Sequence, residues 1–233
     1  MKIIISPSKG MNINITENDS YNKPMFLDEA NYLANIIKKL SIDELSSYFK
    51  INKKLAYEVY NYYQQFNNKI FPAIKLYDGV AYRALDYQSL DDDMKCYLND
   101  RLLILSALYG ILRPNDSISL YRLDFINNPF DFNLYKYWDI INNYFSKELI
   151  INLASKEYSK MLNKKNMINI YFYTKVNSKL KEISVTVKKA RGLFVRYMAI
   201  NHINDIENLK LFNELGFKYD ENLSENNNIV FVN

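Results

Sequence analysis

The segment TVKKARGLFVRYMA, residues 186–199, carries Lys188, Lys189, Arg191 and Arg196 and no acidic residue. At about 100° per residue of helix, these cations fall within an arc of roughly 160°. Ala190, Leu193, Phe194, Tyr197 and Ile200 occupy the opposite side, the expected core face. No Asp or Glu occurs between Glu182 and Asp205, so i,i+4 salt bridges cannot neutralise the arc from within. Gly192 and Ala199 sit in the middle of the arc. A glycine inside a helix costs about 1 kcal/mol relative to alanine, which points to close packing or to close approach of a ligand. The chemistry such a face serves is the holding of an anion. The alternative is a plain solvated face.

Three further polar clusters follow expected strands or open expected helices, where open α/β sheets place ligands. Ser6-Pro7-Ser8-Lys9-Gly10 follows the first strand and offers hydroxyls, an ammonium and a glycine-freed backbone to a phosphate or carboxylate. Its glycine spacing is not that of a Walker loop, and a polar turn accounts for the same composition. Arg113 and Arg122 flank a turn, with Asp116 and Asp124 close by. Their guanidinium forks suit phosphate, or each pairs with its neighbouring Asp. In NLASKEY, Ser155 at a helix start leaves free backbone N–H groups for an anion, or simply caps the helix. For catalysis the candidates are Ser6 or Ser155 as nucleophile, Lys9 as base or anion clamp, and Asp78 or Asp124 as general acid or base. No known triad spacing selects among them.

These clusters need elements to position them. KIIIS (2–6) reads as a buried strand stopped by Pro7, and 25–40 has helical spacing. Residues 41–66 read as two helices broken near Ile51-Asn52, with Ser41 and Glu44 forming a capping box. AIKLYDGVAYRAL (73–85) looks like a strand or hairpin around Asp78-Gly79. A helix over 89–100 has acids in its first turn. A buried strand over 101–114 runs into a Gly110 turn, and 117–125 reads as extended. Residues 134–149 read as a helix, 150–162 as a strand and a Ser155-capped helix, and 167–174 and 182–187 as strands before a helix over 188–203. A short helix near 205–212 and the strands GFKYD and NIVFV close the chain. The alternation predicts an α/β (mixed α+β) fold, with a mixed sheet and helices packed on it. One domain over 1–233 is expected, with 41–66 as a helical hairpin subdomain.

The bulk composition narrows the function classes. With 233 residues, 48% hydrophobic and 24% charged, the chain fits a soluble globular protein with a sizeable core. Its formal charge of +4 is mild, so only clustered cations would imply a polyanionic partner. Cys96 is the only cysteine, which rules out an intrachain disulfide and fits a reducing compartment. On that helix it reads as a packing residue or as a peroxide sensor. His202 is the only histidine, which excludes a His-rich zinc site, and no metal site or cofactor is expected. No stretch approaches the roughly 20 apolar residues of a membrane span, and MKIIISPSKG is too short for a signal-peptide core. The expectation is a cytoplasmic protein without a membrane partner.

The ordered segments IISPSK, YDGVAYRAL, LSALYGILRPND…YRLDF, LYKYWDIINNYF, INLASKEYSK, KKARGLFVRY and F…LGFKYDENLSENNNIVF resemble the YaaA family of peroxide-stress proteins across essentially the whole chain. The resemblance implies a cytosolic bacterial protein that helps cells survive hydrogen peroxide, in part by limiting free iron and so oxidative damage. It also implies a mixed α/β fold with a positively charged cleft, a helix-hairpin-helix element and DNA binding. Carried over by position, the cleft cations would be Lys9, Arg113, Arg122, Lys188, Lys189, Arg191 and Arg196, and the hairpin would place Lys53 and Lys54 at its turn. The sequence departs from the pattern in two places: FKINKKLA lacks hairpin glycines, and the family's SPAKT reads SPSKG here.

Two readings follow. The first is a DNA binder, selective for bent, bubbled or damaged structure, with Tyr82, Tyr109 or Tyr121 stacking on exposed bases. The second is an enzyme acting on a nucleotide, a nucleobase or a phosphorylated small molecule. An enclosed cavity around Lys9 and Lys188 favours the second, and an open groove wide enough for a duplex favours the first. Iron sequestration ranks below both, because soft ligands are almost absent.

Overall fold

Ile3, Ile4 and Ile5 are buried without alternation, the pattern of a strand inside a parallel sheet. The computed structural model of the protein describes residues 1–15, 22–145, 148–163 and 166–233. Its first strand is β1 (Lys2–Ile5). The chain then passes through α1 (Leu27–Ile37), α2 (Ile42–Phe49), α3 (Lys53–Gln64), β2 (Phe71–Pro72), α4 (Ala73–Leu76), α5 (Val80–Leu85) and α6 (Asp92–Arg101). The next strands are β3 (Leu102–Ser106), β4 (Gly110–Leu112) and β5 (Ser117–Ile118), followed by α7 (Leu134–Tyr137) and a 3-10 segment over Trp138–Phe145. β6 (Ile150–Asn152), α8 (Lys156–Ser159), β7 (Met167–Val176) and β8 (Lys179–Lys181) lead into α9 (Ser184–Ile200). α10 (Ile206–Leu209), β9 (Lys218–Tyr219) and β10 (Asn228–Val232) complete the chain.

The expected mixed sheet is present. Its order is β4-β3-β1-β6-β7-β10-β9, with β8 paired to β7. β3, β1, β6, β7 and β10 run parallel, and β4, β8 and β9 pair antiparallel at the edges. α9 lies against α5, α6 and β7. Phe194 of α9 meets Phe172 of β7, Phe212 and Phe231 of β10 at ring distances of 5.9, 4.9 and 5.6 Å. This aromatic cluster fixes the rotation of α9, and with it the direction of the cationic arc.

Several local expectations fail for tertiary reasons. Residues 73–85 form two short helices and no hairpin: the N–H groups of Tyr77, Arg83 and Asp86 return to the carbonyls of Ala73, Gly79 and Tyr82. The Asp78-Gly79 link between them is extended because the Asp78 N–H bonds the Gly10 carbonyl at 2.9 Å. Residues 182–187 are not a strand. α9 already begins at Ser184, although Val185, Thr186 and Val187 are β-branched. The expected helix over 134–149 is a single α-helical turn followed by 3-10 geometry, and its residues 146 and 147 lie outside the described ones. The stretch 101–114 folds back as the β3–β4 hairpin. Gly110 takes φ +68°, and a Cβ there would stand 2.6 Å from the Trp138 ring.

The helical pair forms where expected. The capping box is complete: Ser41 Oγ accepts from the Glu44 N–H at 3.3 Å, and Glu44 Oε2 accepts from the Ser41 N–H at 2.8 Å. α2 ends at Lys50 in the left-handed region, and Asn52 caps α3 by accepting from the Leu55 N–H at 2.9 Å. The apolar residues Leu45, Phe49, Ala56, Val59 and Tyr63 of this pair join the same core as the sheet.

Candidate functional site

The strand order reverses at β1 and β6. The chain leaving β1 returns to the sheet at β3 on one side, whereas β6 continues to β7 on the other. A crevice opens beyond the carboxyl ends of neighbouring strands at such a switch point. The loops leaving β1 (6–10) and β6 (153–155) meet there. The Ser155 N–H donates to Ser6 Oγ at 2.8 Å, and the two hydroxyl oxygens stand 3.3 Å apart. Ser155 precedes α8, but its side chain makes no capping bond to that helix. An asparagine ladder fixes the exit from β6. Asn152 Nδ2 donates to Asn169 Oδ1 at 2.8 Å, Asn169 Nδ2 donates to Asn228 Oδ1 at 3.0 Å, and Asn152 Oδ1 accepts the Ala154 N–H.

The Asp78-Gly79 link forms the third wall. A Cβ on Gly10 would stand 2.5 Å from the Asp78 carbonyl oxygen, and one on Gly79 would collide with Ser8 Oγ. The first loop and the start of α5 therefore touch through glycine. Tyr82 of α5 donates its hydroxyl to the Ser6 carbonyl at 2.9 Å. Together these walls enclose a cavity of about 550 Å³ that also takes in Glu157, Tyr158, Lys188 and Arg191. Segments far apart in sequence thus bring Ser6, Lys9, Asp78, Ser155, Lys188 and Arg191 to one hollow.

The charges in this hollow differ in how far they are compensated. Lys9 Nζ lies 2.8 Å from Asp124 Oδ2. Asp124 is buried, and its Oδ1 also accepts from the N–H groups of Ile126 and Asn127. Asp78 pairs with Arg83 at 2.8 Å. Glu157 accepts from the Phe125 N–H at 3.1 Å. Burial pushes its carboxyl above the ordinary range, nearby Asp124 pushes it further, and Lys9 opposes the shift. Lys188 is exposed, and Arg191 stands one helical turn further on. The Arg191 Nε is buried and has no hydrogen-bond partner among the described residues. Burial lowers the guanidinium pKa from its ordinary value, with Glu182 and Tyr171 opposing.

The remaining expected site residues lie elsewhere. Arg113 does not line the cavity. Its Nε and Nη2 each reach Asp116 Oδ1 at 2.9 Å, and its backbone N–H donates to Asp116 Oδ2. Arg122 does not line the cavity; its charge acts on Tyr158, and its Nε is buried with no hydrogen-bond partner among the described residues. Arg196 reaches across to α5: Nη1 donates to the carbonyls of Leu85 and Asp86 at 3.0 Å and to Ser89 Oγ at 2.8 Å. It thus ties down the end of that helix. Gly192 is explained by packing, since a Cβ there would collide with the Ala81 carbonyl of α5. Lys189 is exposed beside Lys188. Lys53 and Lys54 are exposed at the start of α3, and Lys53 pairs with Asp43 at 2.9 Å.

Three further expectations change. Tyr109 and Tyr121 are buried, with the Tyr121 hydroxyl 2.7 Å from that of Tyr77 and 2.8 Å from Ser106 Oγ, so neither offers an open stacking face. Tyr82 does border the cavity. Cys96 is exposed and is not a packing residue. Glu157, absent from the sequence-based candidates, is a second carboxylate at the cavity, in addition to Asp78. The available signal was its place two residues after Ser155, in the first turn of a helix leaving a parallel strand.

Comparison with known proteins agrees with the ordered motifs. The family model described as peroxide stress protein YaaA matches residues 1–223. A UPF0246 protein of Finegoldia magna is 44% identical over 243 residues, covering 100% of this chain and 98% of that protein. UPF0246 proteins of Desulfitobacterium hafniense and Fusobacterium nucleatum are 40% and 36% identical, each covering 100% of this chain and 98% of the relative. The chain belongs to the YaaA family of peroxide stress proteins.

Proposed function

We propose that this peroxide stress protein acts by binding DNA, with preference for distorted structure, along the cation-bearing mouth of the switch-point cavity. It would thereby help limit iron-driven oxidative damage as a cytoplasmic protein. The observation that carries this reading is the pairing of exposed Lys188 and Lys189 with Arg191, on a helix face that holds no acid. Phosphates of a nucleic acid strand supply the missing counter-charge. Lys53 and Lys54, at the start of the twelve-residue α3, offer a second phosphate contact. Among the described residues no helix is long and apolar enough to cross a membrane. The test is the salt dependence of DNA binding by a variant carrying Lys188→Gln, Lys189→Gln and Arg191→Gln. Affinity falls and the slope of log K against log salt flattens by about 0.9 per lost contact. Wild-type values for both end this reading.

The cavity around Lys9 and Lys188 favours a second reading, as the exposed cations favour the first. The cavity volume of about 550 Å³ lies within the range of small-ligand sites, about 300–1,000 Å³, and is too small for a duplex. Ser6, Lys9, Ser155 and Glu157 converge in it, more functional types than phosphate clamping requires. On this reading the protein acts on a free nucleotide, a nucleobase or a phosphorylated small molecule. Product analysis after incubation with nucleoside monophosphates in the absence of DNA separates the two: turnover supports this reading, and its absence leaves the DNA-binding one.

A further inference from the structure

The cavity and the exposed lysines are suited to different parts of one ligand. Lys188 and Lys189 stand in solvent, where they can meet a phosphate backbone passing the mouth. The hollow behind them has about 550 Å³, so a duplex with a major groove about 12 Å wide stays outside. Its interior is not a phosphate clamp either, because Glu157 lines it and a carboxylate repels phosphate. Carboxylate oxygens instead accept from the amino and imino edges of a base. Tyr82 and Tyr158 add aromatic wall, and Ser6, Ser8 and Ser155 add hydroxyls. Arg191 also lines the hollow, and its Nε is a buried donor with no hydrogen-bond partner among the described residues. A buried donor without an acceptor is costly, so the Arg191 side chain gains by turning toward an acceptor on a ligand.

We infer that the cavity seats a single nucleotide turned out of a DNA strand, with its phosphates on Lys188, Lys189 and Arg191 and the N–H edge of its base toward Glu157. This inference rests on the DNA-binding reading above and specifies what part of the DNA enters the protein. Extrusion costs least for unpaired or mismatched nucleotides, so bubbles and mismatches bind ahead of intact duplex.

The experiment uses the full chain and a duplex carrying 2-aminopurine opposite a mismatch, with a separate anisotropy label at the end of the DNA. Anisotropy reads binding, and 2-aminopurine fluorescence reads loss of stacking. The expected result is saturable binding with a several-fold rise in fluorescence. Excess free deoxyadenosine monophosphate reverses the rise while the anisotropy stays high, because the free nucleotide competes for the cavity and not for the backbone contacts. Ser155→Leu, which fills the cavity, and Glu157→Gln, which keeps its shape, both reduce the rise more than they reduce binding. Binding without a fluorescence rise overturns the inference and leaves DNA binding intact. Failure to bind DNA, with or without binding of the free nucleotide, overturns both.

Discussion

Lys9 Nζ and Asp124 Oδ2 stand 2.8 Å apart, and only the lysine is open to solvent: its side chain is 53% exposed against 4% for the aspartate. Asp124 is thus the anchor and Lys9 the partner it holds at the cavity. The carboxylate also organises the backbone at Ile126 and Asn127. Asp124→Asn, which loses the charge at all three contacts, is expected to destabilise the fold by about 1–3 kcal/mol. Lys9→Met should cost under about 1 kcal/mol, because its half of the pair is wet. Urea denaturation of both variants checks the asymmetry, and equal losses would contradict it.

Gly192 gives a prediction opposite in sign to helix propensity. Alanine is better than glycine in a helix interior by about 1 kcal/mol, yet its Cβ would run into the Ala81 carbonyl. That contact is backbone and cannot rotate away, so α9 must move off α5. The net cost is expected to be about 1–3 kcal/mol, and each kcal/mol lowers Tm by about 2–4 °C in a chain of this size. A Tm equal to or above wild type for Gly192→Ala would show that the α5–α9 contact is looser than described.

Arg196 and Lys188 share one helical arc and should separate cleanly by experiment. Arg196 spends its guanidinium on Leu85, Asp86 and Ser89. Arg196→Gln is expected to cost about 1–3 kcal/mol of stability, while the salt slope of DNA binding keeps its wild-type value. Lysine should not rescue it, because an ammonium lacks the fork geometry. Lys188→Gln should do the reverse, flattening the slope by about 0.9 with unchanged stability. Reversal of this pattern would relocate the binding face.

Local sequence carries much of this architecture. The all-buried Ile3–Ile5 run marks a central strand, Ser41 and Glu44 mark a helix start, and the Arg113–Asp116 spacing already allows the pair that forms. The loops Ser6–Gly10 and Ser155, each placed after a strand, are legible as a site for the same reason. What is not legible depends on partners distant in sequence. AIKLYDGVAYRAL carries the Asp-Gly pair of a hairpin turn, but its conformation is set by Gly10, Ser8 and α9. Arg196 looks like its neighbours on a helical wheel, and only the end of α5 distinguishes it. Glu157 shows its character only when Asp124 and Lys9 are brought beside it.

That encounter gives Glu157 a pH signature. Its ordinary value is 4.5, and burial with nearby Asp124 holds the folded-state value higher. The folded protein therefore binds this proton more tightly than the unfolded chain does. Folding is favoured when the group is protonated, and that contribution is lost as pH rises from 4.5 through the raised value. Asp116 is shifted the same way by burial, from 3.8, and contributes a similar fall starting at lower pH. Glu157→Gln keeps an oxygen for the Phe125 N–H and removes the titration, so it should abolish the Glu157 share of the fall and leave that of Asp116. Denaturant midpoints measured across this range for wild type and variant, with carbon NMR titration of the Glu157 carboxyl, test the assignment. Superimposable profiles would mean that Glu157 is better solvated than its place in the cavity wall implies.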